Sequence, residues 1–182
     1  MDEYIAFYSL EPTKDKKGVI GAILVTDDLG MPQEFRVTFP VKPTNLQKRL
    51  YGDSLHRHIG VTLCGEPLYK ALQKKPELLI VSSKQYLPLS MKVDSDVAHI
   101  KRIGDAFTVG KEDESTSEKS VRSKSGRFQP IQVYLPSDYD EQKKADSTAL
   151  LEKYFDGIDL IEPFERIKSA LDALSEQDER FR

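Results

Sequence analysis

The chain has 182 residues, of which 38% are hydrophobic and 31% are charged, and its formal net charge is -3. This balance fits one globular domain and excludes a chain that is disordered throughout, because such chains combine few apolar residues with a large net charge. The apolar runs stay far below the ~18 residues that a membrane-spanning helix needs, and the single cysteine excludes an internal disulfide. We therefore expect one cytoplasmic domain over residues 1–182, with no membrane segment.

The first forty residues predict three β-strands. Tyr4–Leu10 is rich in aromatic and β-prone residues, and Val19–Thr26 is an apolar run. Gln33–Phe39 alternates between apolar and polar positions, which is typical of a half-buried strand. Because short polar turns join the three segments, we expect an antiparallel meander.

A broken helical region is expected next, from Thr44 to about Lys75. Thr44 is a suitable N-cap, and Gly52 and Gly60 interrupt the apolar periodicity that follows it. Glu77–Ser83 then contains a continuous apolar run, which indicates a central strand buried on both faces.

A hairpin and a loop are predicted after this strand. Val97–Ile103 and Ala106–Val109 are expected to pair around a turn at Gly104-Asp105. Residues 111–127 contain almost no apolar side chains, so burial there cannot offset the entropy of ordering the chain. We therefore predict a mobile loop over 111–127.

The last third of the chain predicts one strand, two helices and a tail. Phe128–Leu135 is expected to be the last strand, and Ala145–Phe155 is expected to be helical. Ile161–Leu174 carries apolar residues at helical spacing and is predicted to cover the core of its own domain. Residues 175–182 are predicted to form a polar tail.

Three antiparallel strands, a helical crossover and a buried fourth strand follow the opening order of the ribonuclease H-like fold. The chain is thus similar to that fold in the order of its elements over roughly its first half. We predict an α/β or α+β protein in which a mixed sheet starts with the meander and helices form the C-terminal part.

The resemblance implies a metal site that this sequence lacks. Nucleases of the fold resemble one another in carrying one carboxylate within the first strand and another at the end of the fourth, where the two hold Mg²⁺ ions. Here Tyr4–Leu10 contains no acid, and the fourth strand ends in Val81-Ser82-Ser83. A hydroxyl cannot replace a carboxylate as the charged ligand of a hard cation. We therefore expect no ribonuclease H-type metal catalysis.

A dense group of potential cations lies within the predicted helical region. It combines one tyrosine with five basic or imidazole side chains, namely Lys48, Arg49, Tyr51, His56, Arg57 and His58. Such a group can bind a polyanion, because cations contact the phosphates of a nucleic acid and an aromatic ring stacks on its bases. Asp53 precedes His56 by three residues, so a general base oriented by a carboxylate is a second interpretation. A solvated helix face capped by Asp53 is the plain alternative.

Three other segments have simpler interpretations. Asp94-Ser95-Asp96 offers two carboxylates without a third ligand, which favours a solvated turn over a metal site. Lys119–Arg127 is basic, but acidic residues precede it, so a linker is favoured over a phosphate-binding arm. No zinc motif and no phosphate-binding glycine loop occur in the sequence.

The primary prediction is a non-catalytic binding or assembly component of an intracellular complex, with a protein partner and nucleic acid as a further candidate partner. No cofactor, no bound metal and no membrane contact are expected. The alternative is a metal-dependent or His-assisted phosphodiesterase or nuclease with its site around Asp53–His58. The two classes differ in that an enzyme needs reactive side chains converging in one pocket.

Overall fold

A computed structural model describes residues 3–103 and 117–182. Within these ranges the centre of the protein is a 7-stranded sheet of order β3-β2-β1-β4-β5-β7-β6. The strands are β1 (Tyr4–Pro12), β2 (Val19–Asp27), β3 (Pro32–Val37), β4 (Leu78–Val81), β5 (Asp96–Arg102), β6 (Ser117–Val121) and β7 (Ile131–Leu135).

Helices of several kinds connect and cover the strands. The α-helices in the described ranges are α1 (Asn45–Tyr51), α2 (Leu55–His58), α3 (Glu66–Lys70), α4 (Glu141–Gly157) and α5 (Glu162–Gln177). A π-helical segment, Ile59–Gly65, joins α2 to α3, and segments of 3₁₀ type occur at Gly52–Ser54, Lys84–Met91 and Glu179–Phe181. In the part of the chain that is described, no helix is long and apolar enough to span a bilayer.

The strand order confirms the predicted fold. β1, β2 and β3 form the antiparallel meander, and β4 runs parallel to both β1 and β5. β7 pairs antiparallel with β5 and with β6. This is a mixed α/β sheet with the ribonuclease H-like opening order, and the helices α4 and α5 complete its C-terminal part.

Two apolar layers cover the central sheet. Ile5 and Phe7 point to the face on which α4 and α5 pack, whereas Ala6 and Tyr8 point to the face covered by the helical region after β3. Each residue of Leu78–Val81 is at most 1% exposed, which confirms the interpretation of that apolar run as a strand buried on both faces.

The helical region is broken, as predicted, and its glycines have distinct roles. The Thr44 hydroxyl accepts a hydrogen bond from the amide of Gln47, whose side chain accepts in turn from the Thr44 amide, so the pair forms a capping box. Gly52 ends α1 with a φ of 52°, a backbone conformation that favours glycine. Gly60 lies in the π-helical segment, directly against the ring of Tyr86.

Part of the predicted loop 111–127 is a strand. β6 pairs over its whole length with β7, and Val121 is only 2% exposed. The side chains of this segment are nearly all polar, and pairing with β7 satisfies its backbone hydrogen bonds. Because backbone pairing does not depend on apolar side chains, a search for apolar periodicity cannot predict this strand. Residues 111–116 lie outside the described residues, as does the predicted second hairpin strand Ala106–Val109, so mobility there stays a prediction.

The predicted polar tail 175–182 is not a free tail. α5 continues to Gln177, and the following turn buries Phe181 to 8% exposure. The Phe181 ring stacks on Phe39 with the ring centroids 5.4 Å apart. One aromatic side chain thus anchors a segment that is otherwise polar, and average composition hides such an anchor.

Candidate active site

A cleft of about 420 Å³ opens where the carboxyl ends of β1 and β4 meet. β4 ends beside Tyr8 in the paired register, while β1 continues to Pro12, so the last residues of β1 border an opening in the sheet. Side chains from β1, α2, the 3₁₀ segment and α5 converge there. The polar ones that matter for chemistry are Ser9, Glu11, His56, Tyr86, Glu165 and Lys168.

His56 and Tyr86 form the central polar contact of the cleft. The Tyr86 hydroxyl lies 2.5 Å from Nε2 of His56, and the two rings are tilted by 34° with their centroids 5.7 Å apart. Tyr86 is only 1% exposed, and its ring packs between Gly60 and Tyr8. A rigid phenol therefore holds an imidazole that faces the cleft. The predicted partner, Asp53, is not the residue that orients His56.

The protonation states of this pair follow from their surroundings. Desolvation by the cleft walls lowers the pKa of His56 below its usual value, so the imidazole is neutral at physiological pH. Burial, and after it the negative charge of Glu11, raises the pKa of Tyr86 well above its usual value. The phenol thus keeps its proton, and the pair consists of two neutral groups. When Nε2 donates to the phenol oxygen, Nδ1 is left as a free base.

Glu11 is a cleft residue that the sequence analysis missed. The predicted first strand ends at Leu10, but β1 continues to Pro12 and therefore includes this acid. The buried Ser9 hydroxyl donates a hydrogen bond to the Glu11 carboxylate. Ser9 and Glu11 are two residues apart in a strand, so they share one face, and that spacing is the signal that could have identified Glu11.

The opposite wall of the cleft belongs to α5. There Lys168 and Glu165 form an exposed ion pair, with Nζ and Oε1 3.5 Å apart. Their helix also presents Phe164, whose ring meets Phe7 edge-on at a centroid distance of 5.8 Å. The predicted role of this helix is thereby confirmed, because it covers the domain's own core, and its polar face additionally lines the cleft.

The cleft does not assemble a metal-ligand set from the described residues. Over 3–103 and 117–182, no three His, Cys, Asp or Glu side chains are arranged to hold an ion. Asp96, predicted to lie in a solvated turn, instead begins β5 and is 9% exposed. Its carboxylate accepts hydrogen bonds from Lys143 and from Ser147. That carboxylate is committed to an internal ion pair, because a buried charge needs such partners.

The six candidate residues for polyanion binding divide between two places. His56 lies in the cleft, whereas the other five lie on α1 and α2. Among the described residues, Lys48, Arg49 and Arg57 have no ion-pair partner. Tyr51 and His58 stack on one another, with ring centroids 4.8 Å apart and planes 28° apart. Whether this surface binds a polyanion stays a prediction.

The basic stretch Lys119–Arg127 is partly tied to the rest of the domain. The Lys124 amide donates to the Asp156 carboxylate over 2.7 Å, and its ammonium lies 3.9 Å from the same side chain. Arg127 lies over the ring of Phe128. These contacts with α4 and with a core aromatic fit the linker interpretation better than a free phosphate-binding arm.

No protein-family model matches the sequence, and no curated protein matches it. Solved structures with a similar fold include endonuclease V from Ciona intestinalis in complex with a DNA that contains inosine, at 11% identity and a TM-score of 0.47, over 84% of this chain and 77% of that one. Endonuclease V from Bacillus subtilis is similar at 10% identity and a TM-score of 0.49, over 80% of this chain and 70% of that one. Argonaute from Marinitoga piezophila, in complex with a guide RNA, is similar over 84% of this chain and 26% of its own, at 12% identity and a TM-score of 0.35.

The predicted non-catalytic binding or assembly role needs correction. The structures of similar fold include endonuclease V, which is a nuclease and not a binding subunit. At 10 to 12% identity the likeness is one of fold. The sequence offered this class only as the alternative, because the contact that orients His56 joins residues 30 positions apart. Nothing in the described structure supports the predicted protein partner.

Proposed function

We propose that this protein cleaves phosphodiester bonds in nucleic acid and that His56 is the general base. The observation that carries the proposal is the 2.5 Å contact between His56 Nε2 and the Tyr86 hydroxyl, within a cleft at the carboxyl ends of β1 and β4. A general base must be neutral, accessible and held in place. His56 meets each of these conditions.

The lowered pKa of His56 suits this role. Its cause is desolvation, so the imidazole stays neutral to a lower pH than the usual value of about 6.5. A neutral imidazole can take the proton from an attacking hydroxyl or water at physiological pH. As the attacking oxygen bonds to phosphorus, the bond from phosphorus to the leaving sugar oxygen breaks, and the leaving oxygen takes a proton from solvent. Tyr86 is a positioning residue, because its protonated phenol fixes the ring and lies behind it.

Lys168 supplies the positive charge that a phosphodiester needs. Its ammonium is exposed on the cleft wall and pairs with Glu165 at 3.5 Å. An exposed pair of this kind is weak, worth about 0–1 kcal/mol, so a phosphate oxygen can compete with the carboxylate. An ammonium beside the reacting phosphate stabilises the charge that develops in the transition state.

The cleft offers few ligands for a metal ion. Ribonuclease H-type catalysis needs several carboxylates around two ions, and the described residues bring only Glu11 and Glu165 to the cleft walls as acids. The geometry therefore favours the His-assisted form of the alternative over the metal-dependent form. The expectation that no cofactor is needed stays a prediction.

The test is a cleavage assay with a matched control. Labelled single- and double-stranded DNA and RNA are incubated with wild type, His56→Gln and Asp53→Asn, with Mg²⁺ and with EDTA. Asp53 is exposed and lies three residues from His56, so its variant controls for a nearby change and for a contaminating nuclease. Loss of a general base costs roughly 100-fold or more in rate.

We expect cleavage by wild type and Asp53→Asn in EDTA, and at least roughly 100-fold slower cleavage by His56→Gln. Equal rates in all three proteins, or no cleavage by wild type under any condition, would overturn the proposal. Cleavage that needs Mg²⁺ would keep the nuclease but refute the metal-free route.

A further inference from the structure

We propose that the outer surface of α1 and α2 binds single-stranded nucleic acid, with a base stacked on Tyr51 and the backbone held by Lys48, Arg49 and Arg57. The inference deepens the proposed function, since it names the substrate that reaches His56. The binding surface is nevertheless separate from the cleft and can be tested without cleavage.

The ring pair is the first observation. Tyr51 and His58 lie stacked with their centroids 4.8 Å apart, and Tyr51 is still 41% exposed. One face of the tyrosine is thus covered by the imidazole, which fixes the ring. A fixed aromatic ring with an open face is the feature on which unpaired bases stack, and bases in a duplex cannot reach it.

The charges of this surface are the second observation. Lys48 and Arg49 lie in the last turn of α1, and Arg57 lies in α2. All three are exposed, and no carboxylate among the described residues pairs with them. Most other exposed cations of the described chain do pair, for example Lys70 with Glu66 and Arg180 with Asp178. Unpaired cations beside a ring complement the phosphates and bases of one strand.

The exposure of α1 is the third observation. The helix buries none of its residues, and Leu46 and Leu50 are 66% and 73% exposed. A helix that covers no core contributes little to the stability of its domain, since burial of an apolar face supplies most helical stability in proteins. Its sequence is therefore free to serve binding.

The surface lies close enough to the cleft for a bound single strand of nucleic acid to reach His56. His56 and His58 belong to the same helical turn of α2, with His56 in the cleft and His58 under Tyr51. A helix with its side chains is ~10 Å across. A single strand of nucleic acid with one base stacked on Tyr51 therefore passes His56 within a few nucleotides.

Binding is measured in the His56→Gln background, in which the proposed cleavage is removed. Fluorescence anisotropy measures the affinity of each protein for a labelled 20-nucleotide oligo(dT) and for a duplex of equal length. The proteins compared are His56→Gln itself and the same protein with Tyr51→Ala or Tyr51→Phe added. Tyr51→Phe keeps the ring and serves as the matched control. A base–aromatic stack accounts for roughly 5- to 100-fold in affinity, so we expect Tyr51→Ala to bind the single strand about tenfold more weakly and Tyr51→Phe to bind it normally.

A separate double variant tests the contribution of the positive charges to binding. Lys48→Ala/Arg49→Ala should weaken binding of single strand and reduce its salt dependence, because two fewer counterions are released. Unchanged binding in Tyr51→Ala, equal affinity for the duplex, or binding to anionic lipid vesicles but not to the oligonucleotide would each overturn the inference. Cleavage by the wild type would still stand in those cases, so the two proposals fail independently. Thermal melting confirms that each variant is folded.

Discussion

Gly60 and Tyr86 approach so closely that a Cβ built on Gly60 would lie 2.2 Å from Cε1 of the tyrosine ring. Real Cβ atoms do not come this near to another carbon, so only glycine fits at this position. The Gly60 carbonyl also accepts a 2.6 Å hydrogen bond from the Tyr8 hydroxyl. The π-helical segment thus presents bare backbone to the ring that holds His56, and π-helical turns are frequent at functional sites.

Gly60→Ala is therefore expected to displace the Tyr86 ring and to destabilise the protein by about 1–3 kcal/mol, the usual cost of overpacking a core. Cleavage should fall with it, because His56 loses its oriented partner. Urea unfolding measures the free energy, and the cleavage assay measures the rate. In a double-mutant cycle with Tyr86→Leu the two stability costs should not add, since the smaller side chain relieves the clash. Additive costs would show that the two residues are independent.

Tyr86→Phe removes one hydroxyl and leaves the ring in place. The hydrogen bond to His56 is lost, so we expect cleavage to fall about tenfold and the acidic limb of its pH profile to move. Stability should change by about 1 kcal/mol, the usual contribution of one hydrogen bond. A purely structural role for the hydroxyl would change stability and leave the pH profile of cleavage as in the wild type. Tyr86→Leu, which also removes the ring, should cost more in both measurements.

His99 makes the stability of the domain depend on pH. Burial lowers the pKa of this residue to about 4, and its Nδ1 contacts the Val81 carbonyl at 2.8 Å. In the unfolded chain the pKa is about 6.5, so protons bind preferentially to the unfolded state between these values. The stabilisation is present above pH 6.5 and is lost progressively as pH falls towards 4, by about 3 kcal/mol in total.

The measurement for His99 is urea unfolding between pH 7 and pH 4.5 for wild type and His99→Gln. We expect a smaller loss of stability on acidification in the variant, even though glutamine lowers stability at pH 7. The comparison uses the slope with pH and not the absolute value, so a destabilised variant remains informative. Parallel slopes for the two proteins would contradict the prediction.

Phe181→Ala tests whether the docked C-terminal turn stabilises the domain. Phe181 is 8% exposed and stacks on Phe39, which is itself 61% exposed. Truncating the more buried partner should cost about 2 kcal/mol, somewhat less than a fully buried phenylalanine. Phe39→Ala, which removes the same stack from the exposed side, should cost clearly less. Equal costs would mean that stacking, and not burial, stabilises the contact.

The sequence pattern predicts much of the sheet because several strands differ strongly in composition from the polar segments between them. The alternation in Gln33–Phe39 and the continuous apolar run in Leu78–Val81 each indicate burial directly. β6 escapes prediction because Val121 is the only apolar residue in Ser117–Val121. Its strand conformation comes from hydrogen bonds with β7, which leave no trace in local composition.

The candidate site is predicted only in part, for a geometric reason. His56 belongs to the group chosen from sequence, but its partner Tyr86 lies 30 residues away in the 3₁₀ segment Lys84–Met91. Asp53 looked like the natural partner because helical spacing favours it, but the contact that His56 makes is with Tyr86. A contact of this kind is decided by packing, which a local pattern cannot show.

The parallel pairing of β1 with β4 also constrains how the molecule folds. Ile5 pairs with Leu78, although most of the meander and the whole helical region lie between them in the sequence. In contrast, only a short turn separates β1 from its partner β2. Local hairpins form within microseconds, but contacts distant in sequence must first overcome the entropy of closing a long loop. We expect the meander to be an early structure and the joining of β4 to be the slow step. The cleft lies at that junction, so a chain arrested as the meander contains three of the seven described strands and lacks the contact between His56 and Tyr86.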